Sequence, residues 1–328
     1  TLGKLTIISF RLFWYRSGFT CSVRKIDGKR CALTLSGKDA SVILIPNYSG
    51  TIDVNGVLDG FFLAEKKKKI LALSESLYVN DQSVSLEKKL SEGDILMVLP
   101  GIFDNLDYPV WNHPYSVLYE DEWTYVLDKP AGIIIHPDSK DKNGTLANLA
   151  ANYLSQRNLD CSVRYLHRLD KDTTGCVLFA TNFLSHSFLS HEWESENVHK
   201  EYLVLIEGHL RERAGRIALP IGKDRHRNNH YIVYQKGKPA LTNYEVIREY
   251  PGYSLLKISI ETGRTHQIRV HMASIGHPVL GDLEYGALKT GSSRVMLHAS
   301  SISYLHPITH EKITVDSPLP EDFRQYAY

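Results

Sequence analysis

The pattern of apolar and polar residues divides the chain into a β-rich N-terminal part and a longer mixed part. Residues 1 to about 50 alternate apolar and polar positions and are rich in β-branched residues, as in "SVILIP", which predicts short strands. The segment "AEKKKKILALSES" predicts a helix with a basic face, Lys66 to Lys69. After it, "LYVNDQSVSLEKKLSEGDILMVLP" predicts strand, Asn-Asp turn and strand. The stretch "GIFDNLDYPVWNHP" predicts a linker over about residues 101–115.

Beyond this linker, strand patterns dominate. Six segments have the composition of strands: "SVLYED", "WTYVLDKP", "GCVLFAT", "EYLVLIEG", "TNYEVIREY" and "SLLKISIE". The last two flank Pro251-Gly252, which predicts a hairpin. Helical periodicity occurs in "TLANLAANYLSQ" and in "RTHQIRVHMASIG", which ends at Gly276. Many strands with few helices predict an α+β fold, with a mixed, largely antiparallel central sheet, flanking helices and a small N-terminal domain.

Composition narrows the class of protein. The 328 residues, 43% hydrophobic and 23% charged, are typical of a globular protein of about two domains. No apolar run approaches the ~20 residues that span a bilayer, so we expect no membrane segment. The cysteines are widely spaced and form no CxxC pair, which favours a reduced, cytoplasmic protein over a zinc ribbon or a redox pair. They are Cys21, Cys31, Cys161 and Cys176.

Local charge indicates more than the net charge of +1, which alone would not suggest a nucleic-acid partner. Residues 211–238 contain eight arginines and lysines, among them Arg225 and Arg227, against only Glu212 and Asp224. Such a stretch can follow a phosphate backbone. It can equally be the solvated rim of a hairpin, and the lysine run 66–69 can be a solvated helix face.

Two polar runs contain candidate catalytic residues. In "HRLDKDTTG" the pattern places Asp170 in a turn at a sheet edge, with Arg168 and Lys171 beside it. An aspartate near cations stays ionised and can act as a nucleophile or a base; an Asx turn with solvated ion pairs is the alternative. Arg269 lies in the first turns of a predicted helix, where the macrodipole disfavours a cation. It therefore either pairs with an anion or is an ordinary surface arginine.

Metal and cofactor motifs are missing from the sequence. His266 and His271 are five positions apart, and no HExxH or CxxC spacing occurs. There is no GxGxxG, and "GALKTGSS" lacks the lysine that follows the second glycine of a phosphate loop. We therefore expect no metal and no nucleotide cofactor, with any chemistry performed by side chains on a bound substrate.

Taken together, the polar and apolar runs resemble one known family. "YVLDKPAGIIIHP" (125–137), "HRLDKDTTGCVLFA" (167–180), "KEYLVLIEG" (200–208), "TGRTHQIRVHMASIGHPVLGDLEYG" (262–286) and "MLHAS" (296–300) occur in this order. The series resembles the RluA-type family of RNA pseudouridine synthases over about residues 115–320. The resemblance implies a pseudouridine synthase fold over residues 116–328 and isomerisation of uridine to pseudouridine on a flipped-out nucleotide, with no cofactor.

The resemblance also implies roles for individual residues. It makes Asp170 the catalytic nucleophile, which attacks either the sugar C1′ or the uracil C6, and Arg269 the arginine that pairs with it. Tyr202 corresponds to the tyrosine that stacks on the target base and is implicated in proton transfer. Within the motifs, the residues expected to contact RNA or the target base are His167, Arg168 and Leu297. Arg225 and Arg227, in the basic stretch 211–238, are expected to contact RNA as well.

The RNA substrate is less defined. Residues 56–100 resemble the C-terminal half of an S4-type RNA-binding domain, whereas residues 1–55 match no known module. The S4-like segment favours large-subunit ribosomal RNA, with transfer RNA as an alternative substrate. A non-catalytic RNA-binding ribosome-assembly factor is the alternative from another class of function. A glycosidase would need a second carboxylate in a comparable motif, and none occurs.

Overall fold

The structure is a computed structural model that describes residues 21–23, 31–35, 40–44, 52–99, 107–137, 143–157, 159, 161–288 and 291–327. The strands predicted in residues 1–20 and the linker residues 101–106 lie outside the described residues. Among the helices that the structure describes, none is long and apolar enough to cross a membrane.

The N-terminal part forms an antiparallel sheet with the order β1-β2-β3-β8-β5-β6. Its strands are β1 Cys21–Val23, β2 Cys31–Leu35, β3 Ala40–Leu44, β5 Leu77–Val79, β6 Gln82–Ser83 and β8 Ile95–Val98. Two short strands, β4 Ile52–Asp53 and β7 Lys89–Leu90, pair separately. The predicted strand, turn and strand at residues 77–83 are confirmed, because Asn80 and Asp81 have the positive φ angles, 48° and 69°, of a tight hairpin turn. This sheet contains strands from both sides of residue 55.

Two helices, α1 Val54–Asp59 and α2 Glu65–Leu73, complete this part. The helix predicted over the lysine run is confirmed, but its basic face is smaller than expected. Lys68 is fully buried and donates to Asp59 at 2.5 Å and to Asn55 at 3.1 Å, and it also pairs with Glu65. Its charge is therefore neutralised inside the protein, which leaves Lys66, Lys67 and Lys69 for that face.

The second part is built on a ten-stranded sheet with the path β14-β17-β18-β13-β19-β12-β10-β9, to which β11 adds beside β12 and β20 beside β19. Its strands are β9 Ser116–Glu120, β10 Thr124–Lys129, β11 Arg164–Tyr165, β12 Thr174–Ala180, β13 His199–Glu207, β14 Ala214–Ile217, β17 Thr242–Tyr250, β18 Tyr253–Ile260, β19 Leu297–Leu305 and β20 Lys312–Asp316. A separate hairpin pairs β15 Ile221–Lys223 with β16 Tyr231–Val233. Of the strand pairs in the described residues, only β12 with β19 is parallel, which confirms the mixed, largely antiparallel sheet of an α+β fold.

Helices cover both faces of this sheet. They are α3 Leu146–Gln156, α4 Phe183–Glu194, α5 Gln267–Ser274 and α6 Glu321–Ala327. The alternation of side chains along β10 and β12 separates two cores. Tyr125, Leu127 and Phe179 pack with α3 on one face. Val126 and Leu178 pack with α4 and with the N-terminal part on the other face.

The N-terminal part and the large sheet share this second core. The rings of Phe61 and Trp123 stack with centroids 5.7 Å apart. Phe62 stacks on His191 of α4 at 3.5 Å, and its carbonyl oxygen accepts a hydrogen bond from Ser187 at 2.9 Å. The two parts are therefore joined by a packed interface of apolar and aromatic side chains.

Gly175 makes the parallel pairing of β12 with β19 sterically feasible. It has φ +111°, and a Cβ at this position would lie 2.1 Å from the carbonyl oxygen of Ala299 on β19. Only a residue without a side chain permits this approach. Because residues 166–173 lead directly into β12, this glycine also sets where the Asp170 loop meets β19.

The predicted helices at residues 146–156 and 267–274, the six strands after the linker and the Pro251-Gly252 hairpin are all confirmed. The helix α4 was not predicted. Its start is set by Asn182, whose side chain accepts hydrogen bonds from the backbone N–H groups of Leu184 and Ser185.

Candidate active site

The Asp170 loop, residues 166–173, connects β11 to β12, which confirms that Asp170 lies in a turn at the sheet. Within the loop the backbone N–H of Thr173 donates to the carbonyl oxygen of Asp170 at 3.1 Å. The hydroxyl of Thr174, at the start of β12, lies 2.9 Å from Nδ1 of the buried His298.

A buried lysine holds the loop from below. Nζ of Lys129 at the end of β10 donates to the carbonyl oxygens of Lys171 and Thr173, both at 2.8 Å, and of Pro130 at 2.9 Å. Burial lowers the pKa of Lys129 to about 7, although the charges of Asp172 and Asp170 act in the opposite direction. Lys129 therefore ties the backbone on the C-terminal side of Asp170 to the central sheet.

A buried arginine holds the same loop from another side. One nitrogen of Arg294 donates to the carbonyl oxygens of Asp172 at 3.0 Å and Val295 at 2.9 Å. The other two nitrogens form a bidentate pair with the carboxylate of Asp322 on α6, at 2.6 and 2.9 Å. The position of the Asp170 loop thus depends on three segments that are distant along the chain.

Arg269 on α5 reaches Asp170 from the opposite side of the cleft. Its Nη1 lies 3.4 Å from Oδ2 of Asp170. Its closest partner, however, is Asp282, which accepts from Nε at 2.6 Å and from Nη2 at 2.8 Å; Nη2 also donates to Glu284 at 2.7 Å. Burial lowers the pKa of Arg269, but the hydrogen bonds and charge of Asp282 outweigh burial, so the net pKa is raised. The guanidinium therefore remains charged, with one nitrogen directed at Asp170.

His266 is a second neighbour of Asp170. It precedes α5 in a left-handed conformation with φ 56°, and its Nε2 lies 3.9 Å from Oδ2 of Asp170. Its Nδ1 lies 2.8 Å from the hydroxyl of Tyr285, and Arg269 lies over the ring of that tyrosine at 4.8 Å. Burial lowers the pKa of His266, with Asp170 opposing the shift, which favours a neutral imidazole beside the carboxylate.

A cleft of about 830 Å³ opens at this point. It brings together six of the eight residues that the sequence singled out: Asp170, Tyr202, Arg269, Arg168, His167 and Leu297. Tyr202 and Leu297 are buried in its wall, whereas Arg168 is exposed at its edge. Burial raises the pKa of Tyr202, and the charge of Asp170 adds to the shift, so its hydroxyl keeps its proton.

His167 is buried in the same wall. Its Nε2 accepts a hydrogen bond from the backbone N–H of Leu178 at 3.1 Å. Burial lowers the pKa of His167 to about 3, with a further contribution from Lys200, so the ring is neutral and carries its proton on Nδ1.

Arg225 and Arg227 do not line the cleft. They are exposed in the loop between β15 and β16, with Arg225 over the ring of Tyr234 at 6.0 Å. That hairpin nevertheless contacts the site, because the backbone N–H of Tyr231 donates to the hydroxyl of Tyr285 at 3.1 Å. All eight arginines and lysines of the 211–238 stretch are exposed.

Sequence reasoning missed several residues that organise the cleft. Lys129, Arg294, Asp282 and Glu284 all contact the Asp170 loop or Arg269. Asp282 and Glu284 lie in "GDLEYG", a short distance after α5 ends at Ser274. The expectation that Arg269 pairs with an anion was the signal that could have found them. Among the residues that the structure describes, no cluster of histidine, cysteine and carboxylate side chains could hold a metal ion. Cys161 and Cys176 are buried and form no disulfide among the described residues.

Comparison with known proteins defines the class of this fold. Residues 124–274 match the family model for RNA pseudouridylate synthase. The RNA pseudouridine synthase YhcT of Bacillus subtilis (strain 168), described as uncharacterized, is 40% identical over 211 residues, covering 64% of this chain and 70% of its own length. Ribosomal large subunit pseudouridine synthase D of Nitrosomonas europaea is 35% identical over 254 residues, and the match covers 74% of this chain and 74% of that protein.

A solved structure agrees with these matches. Human RNA pseudouridylate synthase domain containing 1 superposes with a TM-score of 0.54 at 29% identity, covering 65% of this chain and 86% of that one. The fold is thus that of the RNA pseudouridine synthases. The chain belongs to the RluA-type family of these enzymes, as its motifs predicted.

Proposed function

We propose that this RNA pseudouridine synthase isomerises uridines in large-subunit ribosomal RNA, with Asp170 as the nucleophile. The observation that carries the proposal is the convergence of Asp170, Arg269 and Tyr202 on one cleft, from a loop, a helix and a strand that are far apart in sequence. The preference for ribosomal RNA is supported by relatives that are named ribosomal large subunit pseudouridine synthase D. A cytoplasmic location, next to ribosomal RNA, is part of the same proposal.

The reaction breaks the bond between uracil N1 and ribose C1′ and forms a bond between uracil C5 and C1′. C5 loses its proton and N1 gains one, so no atoms or electrons are left over and the isomerisation needs no redox partner. Asp170 can form the transient bond either to C1′ or to C6, and its partial exposure in the cleft leaves room for either substrate atom. Arg269 fixes the direction of the carboxylate through the 3.4 Å contact.

The target nucleotide must leave the RNA helix, because its glycosidic bond is inaccessible inside a duplex. Flipping costs a few kcal/mol. Tyr202 and Leu297 offer the extruded uracil a buried aromatic and apolar surface; stacking on an aromatic ring contributes about 1–3 kcal/mol per base. Arg168, exposed two residues before Asp170, is positioned to occupy the space that the nucleotide leaves in the helix.

The exposed basic stretch extends the RNA-binding surface beyond the cleft. Its hairpin adjoins the Asp170 site through Tyr285, and it presents Arg225 and Arg227 to solvent. Affinity for a phosphate backbone is largely electrostatic and sequence-independent. We assign this stretch to backbone contacts and the cleft to the target nucleotide.

Residues 56–100 form the second RNA-binding element of the proposal. They contain most of α1, all of α2 and the strands β5 to β8, with Lys66 and Lys69 exposed. The packing of Phe61 on Trp123 fixes this S4-like segment against the catalytic domain, residues 116–328, so both elements can bind one structured RNA.

Tritium release from RNA labelled at uracil C5 tests the proposal, since C5 loses its hydrogen in the reaction. Total RNA from a strain lacking the gene serves as the substrate, separated into ribosomal and transfer fractions. We expect wild-type protein to release tritium from the large-subunit fraction and Asp170→Asn to release none. Asp172→Asn, the same chemical change two residues along the loop, should retain turnover within a few-fold.

Three outcomes would revise the proposal. Turnover near wild type in Asp170→Asn would remove the aspartate from its role as nucleophile. Release from transfer RNA alone would change the substrate. Tight RNA binding with no release from either fraction would favour a non-catalytic ribosome-assembly factor.

A further inference from the structure

The wall of the cleft beyond Tyr202 contains a cluster that the proposed reaction does not use. Its members are His167 in the Asp170 loop, Trp193 on α4 and Lys200 on β13, and all three line the same cleft as Asp170. The rings of His167 and Trp193 stack with centroids 5.0 Å apart and planes 17° from parallel. Nζ of Lys200 lies 4.0 Å from the centroid of the Trp193 ring. Three separate elements therefore bring a cation and a hydrogen-bond donor to one place.

Lys200 has no anionic partner among the residues that the structure describes. Its side chain is 8% exposed, and it forms no ion pair there. Its acidic neighbour in sequence, Glu201, pairs with Lys257 on β18 at 2.8 Å instead. Burial lowers the pKa of Lys200 to about 8, and no carboxylate offsets this shift. The contact with Trp193 is favourable but does not neutralise the charge.

His167 supplies a second unused donor. Because its Nε2 accepts from Leu178, the proton is on Nδ1. This Nδ1 is buried and has no hydrogen-bond partner within the described residues. Buried polar groups in proteins are nearly always paired, so an unpaired N–H in the wall of a cleft indicates a position for an acceptor from a ligand.

The chemistry of the missing acceptor follows from these two groups. A single ligand group that accepts from the neutral N–H of His167 and also neutralises the ammonium of Lys200 must be an anion, because a carbonyl oxygen of a base carries no charge. In RNA the anion is the backbone phosphate. Lys200 and Tyr202 are two residues apart on one strand and both point into the cleft, which places them about 7 Å apart, a distance comparable to the size of one nucleotide.

We propose that His167 and Lys200, supported by Trp193, form a phosphate subsite that binds the RNA backbone next to the flipped-out uridine. This inference rests on the proposed function for the identity of the ligand, but it concerns binding and not the chemical step. The subsite would hold the sugar-phosphate of the extruded nucleotide while its base lies against Tyr202.

Binding of a short fluorescent oligouridylate, measured by anisotropy over a range of salt concentrations, tests the subsite whatever the natural target is. We expect Lys200→Met to weaken binding about tenfold, as loss of one charge-assisted contact does, and to reduce the salt slope by about 0.7. Lys200→Arg should recover most of the affinity. Lys257→Met, the same change on the neighbouring strand and outside the cleft, should bind within twofold of wild type.

A neutral probe separates a phosphate contact from a structural effect. With the same oligomer carrying methylphosphonate linkages, the difference between wild type and Lys200→Met should disappear. Thermal unfolding checks that each variant is folded, and Lys200→Gln replaces Lys200→Met if the latter is not. Wild-type affinity in a folded Lys200→Met or Lys200→Gln variant, or an equal loss of affinity on the neutral oligomer, would overturn the subsite. Absence of tritium release by the wild-type enzyme would leave this binding result intact and count only against the proposed reaction.

Discussion

Asp282 binds Arg269 more closely than Asp170 does. Neutralising Asp282 therefore tests whether this ion pair positions Arg269 in the cleft. The Asp282 side chain is 1% exposed and forms two of the four hydrogen bonds that Arg269 makes to carboxylates. Asp282→Asn retains one acceptor oxygen but turns an N–H donor towards the guanidinium. Removing one partner of a buried pair costs about 3–5 kcal/mol. Because Asp170 and Glu284 remain as partners, we expect the free energy of unfolding to fall by about 2–3 kcal/mol.

The same change should impair catalysis. Without its bidentate partner, Arg269 shifts towards the two remaining carboxylates and no longer holds Asp170 in one direction. Asp170 is the proposed nucleophile, and a displacement near 1 Å in a reacting group can lower the rate by roughly 10²-fold. We therefore expect a loss of this size in single-turnover tritium release. Stability is measured by urea denaturation of the same preparation.

Glu284→Gln is the matched control, since it neutralises a carboxylate that binds the same guanidinium nitrogen as Asp282. Its side chain is 37% exposed, so water can replace the lost interaction and we expect a change of at most about 1 kcal/mol. A wild-type single-turnover rate in Asp282→Asn, despite reduced stability, would refute the claim that Asp282 positions Arg269 for catalysis. Equal losses of unfolding free energy in Asp282→Asn and Glu284→Gln would refute the argument that the burial of Asp282 makes its neutralisation more costly.

Tyr202→Phe keeps the aromatic ring, so we expect unchanged RNA affinity and slower tritium release; normal turnover would reduce Tyr202 to a stacking surface. Charge reversal of Arg225 and Arg227 together should weaken RNA binding and flatten its salt dependence. An unchanged salt slope would favour the alternative, that the basic hairpin is a solvated rim without RNA contacts. Burial lowers the pKa of Lys129 to about 7 from its ordinary 10.5, so between these pH values the unfolded chain binds a proton that the folded chain does not. The free energy of unfolding of the wild type should therefore rise from pH 7 to pH 10 relative to Lys129→Met, and parallel pH profiles in urea denaturation would contradict this assignment.

Much of the fold could be predicted from local pattern, because the determining signals lie within each segment. The longest strands of the large sheet run over six to nine positions and include apolar runs such as those of β10 and β18, and the Pro251-Gly252 turn separates β17 from β18. The helix α4 escaped prediction because its serines, histidines and Trp193 interrupt the apolar periodicity on which helix prediction depends. Its apolar residues Phe183, Leu184, Phe188 and Leu189 face a core shared with the N-terminal part, a tertiary feature that a local window does not contain.

Six of the eight residues named from the sequence line one cleft, and the expected contact of Arg269 with Asp170 is present, but the other contacts within the cleft were not predictable. The motifs named Asp170, Tyr202 and Arg269, and the cleft brings them together. No local pattern indicates that Lys129 binds the Asp170 loop or that Lys68 is neutralised internally. Such partners are set by the packing of segments that are remote in sequence.

The contact between Arg294 and the carbonyl oxygen of Asp172 has a consequence for when the enzyme becomes active during its synthesis. Arg294 lies 122 residues after Asp172, and its own partner Asp322 follows later still. At about 5–20 residues per second, a ribosome needs on the order of ten seconds to supply that interval. A nascent chain that has just exposed the Asp170 loop therefore lacks Arg294 to hold the loop and Ala299 to pair with Gly175. We expect translation to have passed residue 322 before the chain can modify RNA, so the order of synthesis itself delays activity near the translating ribosome.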